Sequence, residues 1–246
     1  VPGIGDKMAD KIDEIIKTGS LKELDELKKN PKLKKQEKLQ KVIGIGPVKA
    51  TNLIKEGINN ISKLKKVQLT DEQELGLKYF NDLQKPIQVK EMMKYKNYLD
   101  KHLDNEVILA GSYMTGKAKK EGAHDIDFIV VVDAINKKEV EKIQNELKDI
   151  IVATLSIGKN MLKSLMKLDK IVRHVDILIT TKKSLVTALL YFGSGVVYIR
   201  RLREIAKEKG YKLNQYYLED LRNKRKIYLK SKKELFDILN IKESEI

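Results

Sequence analysis

The sequence predicts an α+β fold, with a helical N-terminal region, a sheet-containing middle and a small α/β C-terminal subdomain. Residues 1–27 and 42–66 repeat one pattern of a glycine-containing turn followed by amphipathic helices. Residues 125–132 and 170–180 are apolar runs of strand length that carry acidic residues. Residues 196–217 have the pattern of a basic helix, a glycine stop at Gly210 and a strand.

The composition indicates a protein that binds a polyanion. The chain has 246 residues, a net charge of +15 and no cysteine. Such an excess of lysine and arginine favours nucleic acid as the partner, although a lysine-rich surface of biased composition is the alternative. The lack of cysteine excludes disulfides, cysteine zinc sites and thiol catalysis, and it fits a reducing compartment. No apolar run approaches the roughly 20 residues of a membrane span, and no signal peptide is visible, so we expect an intracellular protein.

The two N-terminal repeats are each built on a Gly-Ile-Gly turn. Gly3, Gly5, Gly44 and Gly46 are the turn residues. Glycines here leave backbone N–H groups exposed at a helix N-terminus, which binds a phosphate without reading a base. The alternative is a pair of structural helix hairpins. Residues 28–41 between the repeats are expected to form a basic linker, with Pro31 breaking the helix.

Three acids in strand-like surroundings predict a metal site. Asp125 and Asp127 are two residues apart, so both side chains project from one face of a strand. Asp176 lies in the middle of the apolar run 170–180, where an acid is costly without a partner. Carboxylates grouped in this way suit a two-Mg²⁺ site for phosphoryl or nucleotidyl transfer. A solvated strand face is the alternative for an Asp-x-Asp pattern alone.

These motifs carry a resemblance to a known family. Gly111-Ser112, then Asp125-x-Asp127, then the distant Asp176 resemble the palm signature of the nucleotidyltransferase superfamily. The repeats resemble helix-hairpin-helix motifs, and nearly the whole chain resembles the family X (polymerase beta-like) DNA polymerases. The resemblance implies a first helix-hairpin-helix at 1–29, a remnant of a lyase-type domain. A second, DNA-binding helix-hairpin-helix follows at 30–85, a catalytic palm at 86–182 and a nucleotide- and template-binding subdomain at 183–246. The palm is expected to be an antiparallel α+β layer, with a turn and a polar loop following Gly111-Ser112.

The resemblance also implies roles for the residues around the acids. Asp125 and Asp127 would bind two Mg²⁺ ions, for which Mn²⁺ can substitute, and Asp176 would bind one and help to deprotonate the primer hydroxyl. Ser112 and the backbone of Gly111 would hold terminal phosphates. Thr115 and Pro86 stand where relatives have phosphate-binding arginines, so the lysines of the following loop are expected to replace them: Lys117, Lys119 and Lys120.

Further roles follow for the C-terminal subdomain and the first hairpin. Tyr191, Phe192, Gly193, Ser194 and Gly195 resemble the family segment that packs against the incoming sugar, with plain aromatic core as the alternative. The residues expected to contact DNA are Lys7, Lys49, Arg173, Arg203, Asn214, Tyr216 and the four turn glycines. Lys11 aligns with the Schiff-base lysine of a 5′-deoxyribose phosphate lyase, although the helices that complete that domain are not in this sequence.

The function that the resemblance implies is template-directed addition of deoxynucleotides to a primer 3′-OH, as gap filling in base excision repair. The expected partners are gapped DNA and deoxynucleoside triphosphates, and the protein is expected to act as a monomer in the nucleus or cytoplasm. The segment YKLNQY and the missing N-terminal half resemble reduced family X enzymes of large DNA viruses. A terminal transferase and a non-catalytic DNA clamp are the alternatives.

Overall fold

The computed structural model describes residues 4–246, so the expectation for Gly3 lies outside the described residues. The chain divides into two compact units, with the boundary between Phe80 and Asn81. Each unit has its own buried core. The four-part division predicted from the sequence stays a prediction.

The first unit is helical, and the core belongs to its second repeat. Its helices are α1 (Asp6–Thr18), α2 (Lys22–Lys29), α3 (Pro31–Gln40), α4 (Pro47–Lys55), α5 (Ile61–Leu64) and α6 (Asp71–Lys78). The buried apolar side chains are Leu39, Val42, Ile45, Ala50, Leu53 and Leu64. Neither α1 nor α2 contains a buried residue. The two repeats therefore share a sequence pattern but differ in packing.

The expected basic linker is wrong, because α3 occupies most of it. Pro31 does interrupt the helix, since α2 ends at Lys29 and Asn30 is extended, but it also begins α3. The side chain of Asn30 accepts a hydrogen bond from the backbone N–H of Lys32. Proline is favoured at the first helical position, where its missing N–H has no helical partner to lose. Asn30 then supplies the N-cap.

The second unit is built on a five-stranded sheet. Its strands are β1 (Glu106–Leu109), β2 (Asp125–Val132), β3 (Ile151–Ile157), β4 (Met161–Met166) and β5 (Arg173–Thr181), in the spatial order β1-β2-β5-β4-β3. The helices that precede or connect them are α7 (Phe80–Leu83), α8 (Val89–His102), α9 (Gly111–Met114), α10 (Lys117–Glu121) and α11 (Lys137–Glu146). Buried side chains from α8, α11 and the sheet form its main core, with Tyr95 and Phe128 among the largest.

The structure corrects two expectations for this sheet. The layer was expected to be antiparallel, but β2 and β5 pair in parallel, while the other neighbours are antiparallel. The stretch after Gly111-Ser112 was expected to be a turn and a polar loop. It instead forms two short helices, α9 and α10, joined at Gly116, whose φ is +74°.

The C-terminal part of the second unit is an α/β layer with its own core. It consists of α12 (Leu185–Gly193), α13 (Val196–Glu208), β6 (Tyr211–Leu213), β7 (Leu218–Asp220), β8 (Lys226–Ile227) and α14 (Lys232–Leu239). The three strands form an antiparallel sheet in the order β6-β7-β8. Leu202, Leu218 and Leu235 are fully buried in the core between these elements. No helix in residues 4–246 has the length and apolarity needed to cross a bilayer.

Candidate active site

The three predicted acids lie together on β2 and β5. Asp127 is directly opposite Asp176 in the parallel pairing, and Asp125 is opposite His174. Residues two apart on a strand share a face, so all four side chains project from the same side of the sheet. The antiparallel neighbour β4 continues this row, because Lys163 is directly opposite Asp176. Three adjacent strands thus present the row Asp127, Asp176 and Lys163.

Asp176 is buried between two basic side chains. Its Oδ2 lies 2.9 Å from Nζ of Lys163, and its Oδ1 lies 3.0 Å from Nε2 of His174. Burial raises the pKa of Asp176, but the contacts with His174 and Lys163 outweigh it and lower the pKa below its usual value. Burial lowers the pKa of His174, and the contact with Asp176 more than reverses this. Asp176 is therefore held as a carboxylate.

The pKa of Asp127 is shifted in the opposite direction from that of Asp176. Burial, followed by repulsion from Asp125 and Asp176, raises the pKa of Asp127 to about 7. The backbone of Gly111, with a φ of +52°, packs directly against this carboxyl group. A Cβ atom on Gly111 would lie 1.8 Å from Oδ2 of Asp127, so only glycine permits this approach. The Gly111-Ser112 motif and the acids are one packed unit.

The donor set fits a hard divalent cation. In residues 4–246, no three acidic or histidine side chains already converge to hold a metal ion. However, carboxylate oxygens are the donors that Mg²⁺ prefers, and a cation would offset both the burial and the repulsion from Asp125 and Asp176 that raise the pKa of Asp127. Oδ1 of Asp176 is also buried without an aligned hydrogen bond, although it contacts His174. A buried acceptor without a donor is costly, which makes this oxygen available to an added ligand.

A cleft of about 1060 Å³ opens beside these acids. Its lining includes Gly111, Ser112 and Asp127 on one part and residues of α12 and α13 on another. Five cationic residues line the cleft, against the two acids Asp127 and Glu204: Lys117, Arg200, Arg203, Lys207 and Lys212. This charge balance suits an anionic ligand.

Several residues that the sequence assigned to the nucleotide lie at the cleft. Tyr191, Phe192 and Gly195 line it, and Tyr191 is 38% exposed, which is unusual for a core aromatic residue. Gly193 is buried, with its Cα against the thioether of Met114, and Ser194 is not among the lining residues. The hydroxyl oxygen of Ser112 is buried without a hydrogen-bond partner in the described residues, as expected of a group awaiting a ligand.

The structure divides the three lysines expected to bind phosphates. Lys117 lines the cleft, and its Nζ lies 3.5 Å from Oε1 of Glu121. Lys119 and Lys120 are exposed and do not line the cleft. Only Lys117 of the three thus lines the cleft, and the expectation that all three bind phosphates stays a prediction.

The expected DNA contact by Arg173 is also corrected. Its side chain is 3% exposed and forms two hydrogen bonds with the carboxylate of Glu91, at 2.7 and 2.8 Å. The remaining terminal nitrogen donates to the backbone carbonyls of Asp82 and Lys85. All three guanidinium nitrogens thus donate to oxygens within the protein. Arg173 therefore connects the start of β5 to α8 and to the segment that precedes α8.

Asn214 and Tyr216 use their polar groups within the fold. The side-chain oxygen of Asn214 accepts hydrogen bonds from the backbone N–H groups of Tyr216 and Tyr217. The hydroxyl of Tyr216 donates to Asn160, which itself donates to the carbonyl of Ile179 on β5. These bonds join the C-terminal layer to the five-stranded sheet. Arg203, by contrast, is exposed and lines the cleft.

In the first unit, the turn glycines precede two helices. Gly5 caps α1, and Gly46 caps α4, in each case with extended backbone and free space around the Cα. Gly44 has a φ of +79°, which favours glycine. Lys7 and Lys49 are exposed on these helices. Lys11 forms a solvent-exposed ion pair with Glu23.

Sequence reasoning missed four cationic residues at the site. Arg200 and Lys207 flank Arg203 at helical spacing on α13, so the periodicity that predicts the helix could have found them. Lys212 follows on β6. Lys163 gave no signal, because β4 itself was not predicted and the register that pairs Lys163 with Asp176 is a tertiary property.

Family models match three consecutive parts of the chain. Residues 37–84 match the fingers domain of DNA polymerase lambda, residues 92–172 match the nucleotidyltransferase domain, and residues 188–244 match the DNA polymerase beta thumb. The second match includes Asp125 and Asp127, and the third includes α13 with its cleft-lining cations.

Curated relatives match almost the full chain. DNA polymerase lambda of Arabidopsis thaliana is 28% identical over 97% of this chain and 51% of its own length. DNA polymerase lambda of Rattus norvegicus is 22% identical over 89% of this chain and 40% of its own. The DNA polymerase type-X family protein pol4 of Schizosaccharomyces pombe is 25% identical over 82% and 43%. The chain thus spans about half, or less, of the length of these relatives.

Proposed function

This chain belongs to the family X DNA polymerases, and we propose that it adds deoxynucleotides to the 3′-OH of a primer strand in gapped DNA. The observation that carries the proposal is the row of acids on β2 and β5, of which Asp127 lines a cleft with five cationic residues. In the reaction, the primer O3′ forms a bond to the α-phosphorus, the bond from this phosphorus to the β-phosphate is broken, and pyrophosphate leaves. Gap filling in base excision repair is the corresponding cellular role.

The acids are proposed to hold Mg²⁺ and to receive the proton. Asp125 and Asp127 would hold two ions, and Asp176 would share one of them. Bound there, Mg²⁺ would supply Lewis-acid stabilisation of the developing charge and favour ionisation of the primer hydroxyl. Oδ1 of Asp176, which is buried without an aligned donor, would accept the proton of this hydroxyl. Gly111 keeps Asp127 in place, because its backbone packs against the carboxyl group.

The cleft is proposed to bind the triphosphate and the new base pair. Ser112 would donate its unpartnered hydroxyl to a phosphate oxygen. Lys117 and the cations of α13, rather than Lys119 and Lys120, would supply the positive charge that arginines supply in relatives. Tyr191 and Phe192 would pack against the sugar and leave no room for a 2′-OH, which selects deoxynucleotides.

The two hairpins are proposed to bind the DNA backbone on either side of the gap. The helices α1 and α4 follow Gly5 and Gly46, no side chain caps either N-terminus, and a Cβ on either glycine would meet nothing within 4 Å. Backbone amides at a helix N-terminus attract phosphate regardless of sequence. Lys7 and Lys49 would add electrostatic attraction that weakens with salt. Lyase activity at Lys11 stays a prediction.

The test is primer extension on a duplex with a one-nucleotide gap, for the wild type and for Asp176→Asn. We expect template-matched insertion by the wild type and a loss of at least about 1000-fold in the variant, since the group that holds metal and receives the proton is neutralised. Asp133→Asn is the matched control, because Asp133 is an exposed acid one residue beyond β2. It should extend the primer like the wild type.

The other outcomes identify the alternatives. Addition that ignores the template base, or that proceeds on single strands, would indicate a terminal transferase. Binding of gapped DNA without extension by the wild type under any divalent cation would indicate a DNA clamp.

A further inference from the structure

We infer that Lys163 is the counter-ion of the metal site. Without metal, its ammonium pairs with the carboxylate of Asp176, and an arriving metal ion competes with Lys163 for this carboxylate. This inference rests on the proposed function of the three acids. Lys163 lies on β4, directly opposite Asp176, and its Nζ is 2.9 Å from Oδ2 of that residue. Lys163 is therefore a positioning residue, because it acts through Asp176.

The charges of the site call for such a counter-ion. Asp125, Asp127 and Asp176 share one face of two adjacent strands, where like charges repel strongly because solvent screening is weak. In the described structure, two groups contact Asp176: the ammonium of Lys163 at Oδ2 and the imidazole of His174 at Oδ1. Lys163 is the permanent cation of these two. Without it, the metal-free sheet would hold three acids opposed by one imidazole.

The contact between Lys163 and Asp176 can also be broken without moving the carboxylate. The side chain of Lys163 is 44% exposed, whereas that of Asp176 is 10% exposed. A lysine has a long flexible stem, so its ammonium can move to solvent or to a DNA phosphate while the buried carboxylate stays in place. Oδ2 of Asp176 then becomes free for a cation. Arriving metal must displace Lys163 from this oxygen, so the lysine lowers the affinity of the DNA-free protein for metal.

The experiment measures Mn²⁺ binding to the DNA-free protein, using the electron paramagnetic resonance signal of free Mn²⁺. Lys163→Met keeps the length of the side chain and removes its charge. We expect the dissociation constant for Mn²⁺ to fall on the order of tenfold, because a cation no longer opposes a divalent ion across a partly exposed contact. Lys163→Arg keeps the charge and should stay within about twofold of the wild type.

A second readout separates a counter-ion from a structural contact. Without metal, Lys163→Met should lower the melting temperature by about 3 °C, which corresponds to roughly 1 kcal/mol for a domain of this size. With saturating Mn²⁺ the difference should disappear or reverse, since the metal takes over the charge. Lys167→Met is the matched control, because Lys167 is an exposed lysine just after β4. It should change neither quantity.

The inference is overturned if Lys163→Met binds Mn²⁺ no more tightly than the wild type, or if its lower melting temperature persists at saturating Mn²⁺. If Lys163→Met does not fold without metal, Lys163→Gln is measured with the same expectations. Primer extension distinguishes this inference from the proposed function. A wild type that extends primers beside a Lys163→Met with unchanged Mn²⁺ affinity would overturn the counter-ion alone. A wild type that never extends would overturn the polymerase, whatever Lys163 does.

Discussion

The five-stranded sheet and the first hairpin use charge in opposite ways. In the sheet, Asp127 and Asp176 are held in surroundings where each charge needs a partner, and Arg173 is fully paired inside the protein. In the first hairpin, α1 and α2 contain no buried residue, and the ion pair of Lys11 with Glu23 is exposed to solvent. Chemistry on a substrate needs groups whose charge is tuned by burial, whereas backbone amides can bind phosphate without any core. Two variants test this difference, and a third tests phosphate binding at the second hairpin.

The largest effect is expected from Arg173→Met. It leaves Glu91 without its buried partner and removes the guanidinium donor from the carbonyl of Lys85, so the free energy of unfolding should fall by about 3 kcal/mol. Lys11→Met breaks an exposed pair and should change it by less than about 0.5 kcal/mol. Calorimetry measures both variants. Equal effects would mean that burial does not distinguish the two pairs.

A smaller effect of opposite sign is expected from Asp127→Asn. The pKa of Asp127 is raised from 3.8 to about 7, so the folded protein holds this proton more tightly than the unfolded chain. The metal-free wild type therefore loses stability as pH rises from about 4 to about 7, and the full loss persists above. By linkage, a pKa raised from 3.8 to about 7 corresponds to about 4 kcal/mol, and the partial solvent exposure of Asp127 reduces this by about half. Near pH 8 the variant should therefore be more stable by about 2 kcal/mol, and below pH 4 the two should agree.

Asp13→Asn in α1 is the control for this prediction. Asp13 is exposed, with Lys17 at 4.0 Å, so its substitution should leave the pH profile of stability unchanged. Urea denaturation of metal-free protein at several pH values gives the profiles. If the difference in free energy of unfolding between wild type and Asp127→Asn did not change with pH, the surroundings of Asp127 would not destabilise its charged form.

The smallest effect on stability is expected from Gly46→Ala, which should act on binding alone. Its backbone is extended, with a φ of −80°, and a Cβ there meets nothing within 4 Å. The free energy of unfolding should change by less than about 0.5 kcal/mol. The affinity for gapped DNA should still fall about fivefold, since a methyl group obstructs the approach of a phosphate to the amides of α4. Unchanged affinity, measured by fluorescence anisotropy, would argue against a phosphate site there.

The sequence predicts the acids of the site well and their basic neighbours poorly. Asp125 and Asp127 fall on one strand face because the alternation of a strand is a local property, and β2 begins and ends where expected. The strand β4 was missed because Lys163 and Ser164 interrupt its apolar run. Its lysine could not be assigned to the site, since register between β4 and β5 depends on the whole sheet.

The other errors have similar physical causes. Arg173 was assigned to DNA through the family resemblance, whereas the structure pairs it with Glu91, which is distant in sequence. Residues 28–41 were expected to be a linker after Pro31, but proline is also favourable as the first residue of a new helix after a capping asparagine. The parallel pairing of β2 and β5 has no local signature, because either strand could pair in either direction.

The parallel register of β2 and β5 also limits where the protein can tolerate insertions and deletions. Asp127 faces Asp176 only while β2 and β5 keep their alignment, and a shift by one residue would turn one carboxylate to the opposite face of the sheet. The insertion or deletion of one residue within either strand is therefore expected to abolish activity, even where every side chain of the site is retained. Length changes should accumulate instead in the turn between β3 and β4 around Gly158, because β3 is an edge strand and its own pairing with β4 already contains two register shifts, at 151–153 and 154–156.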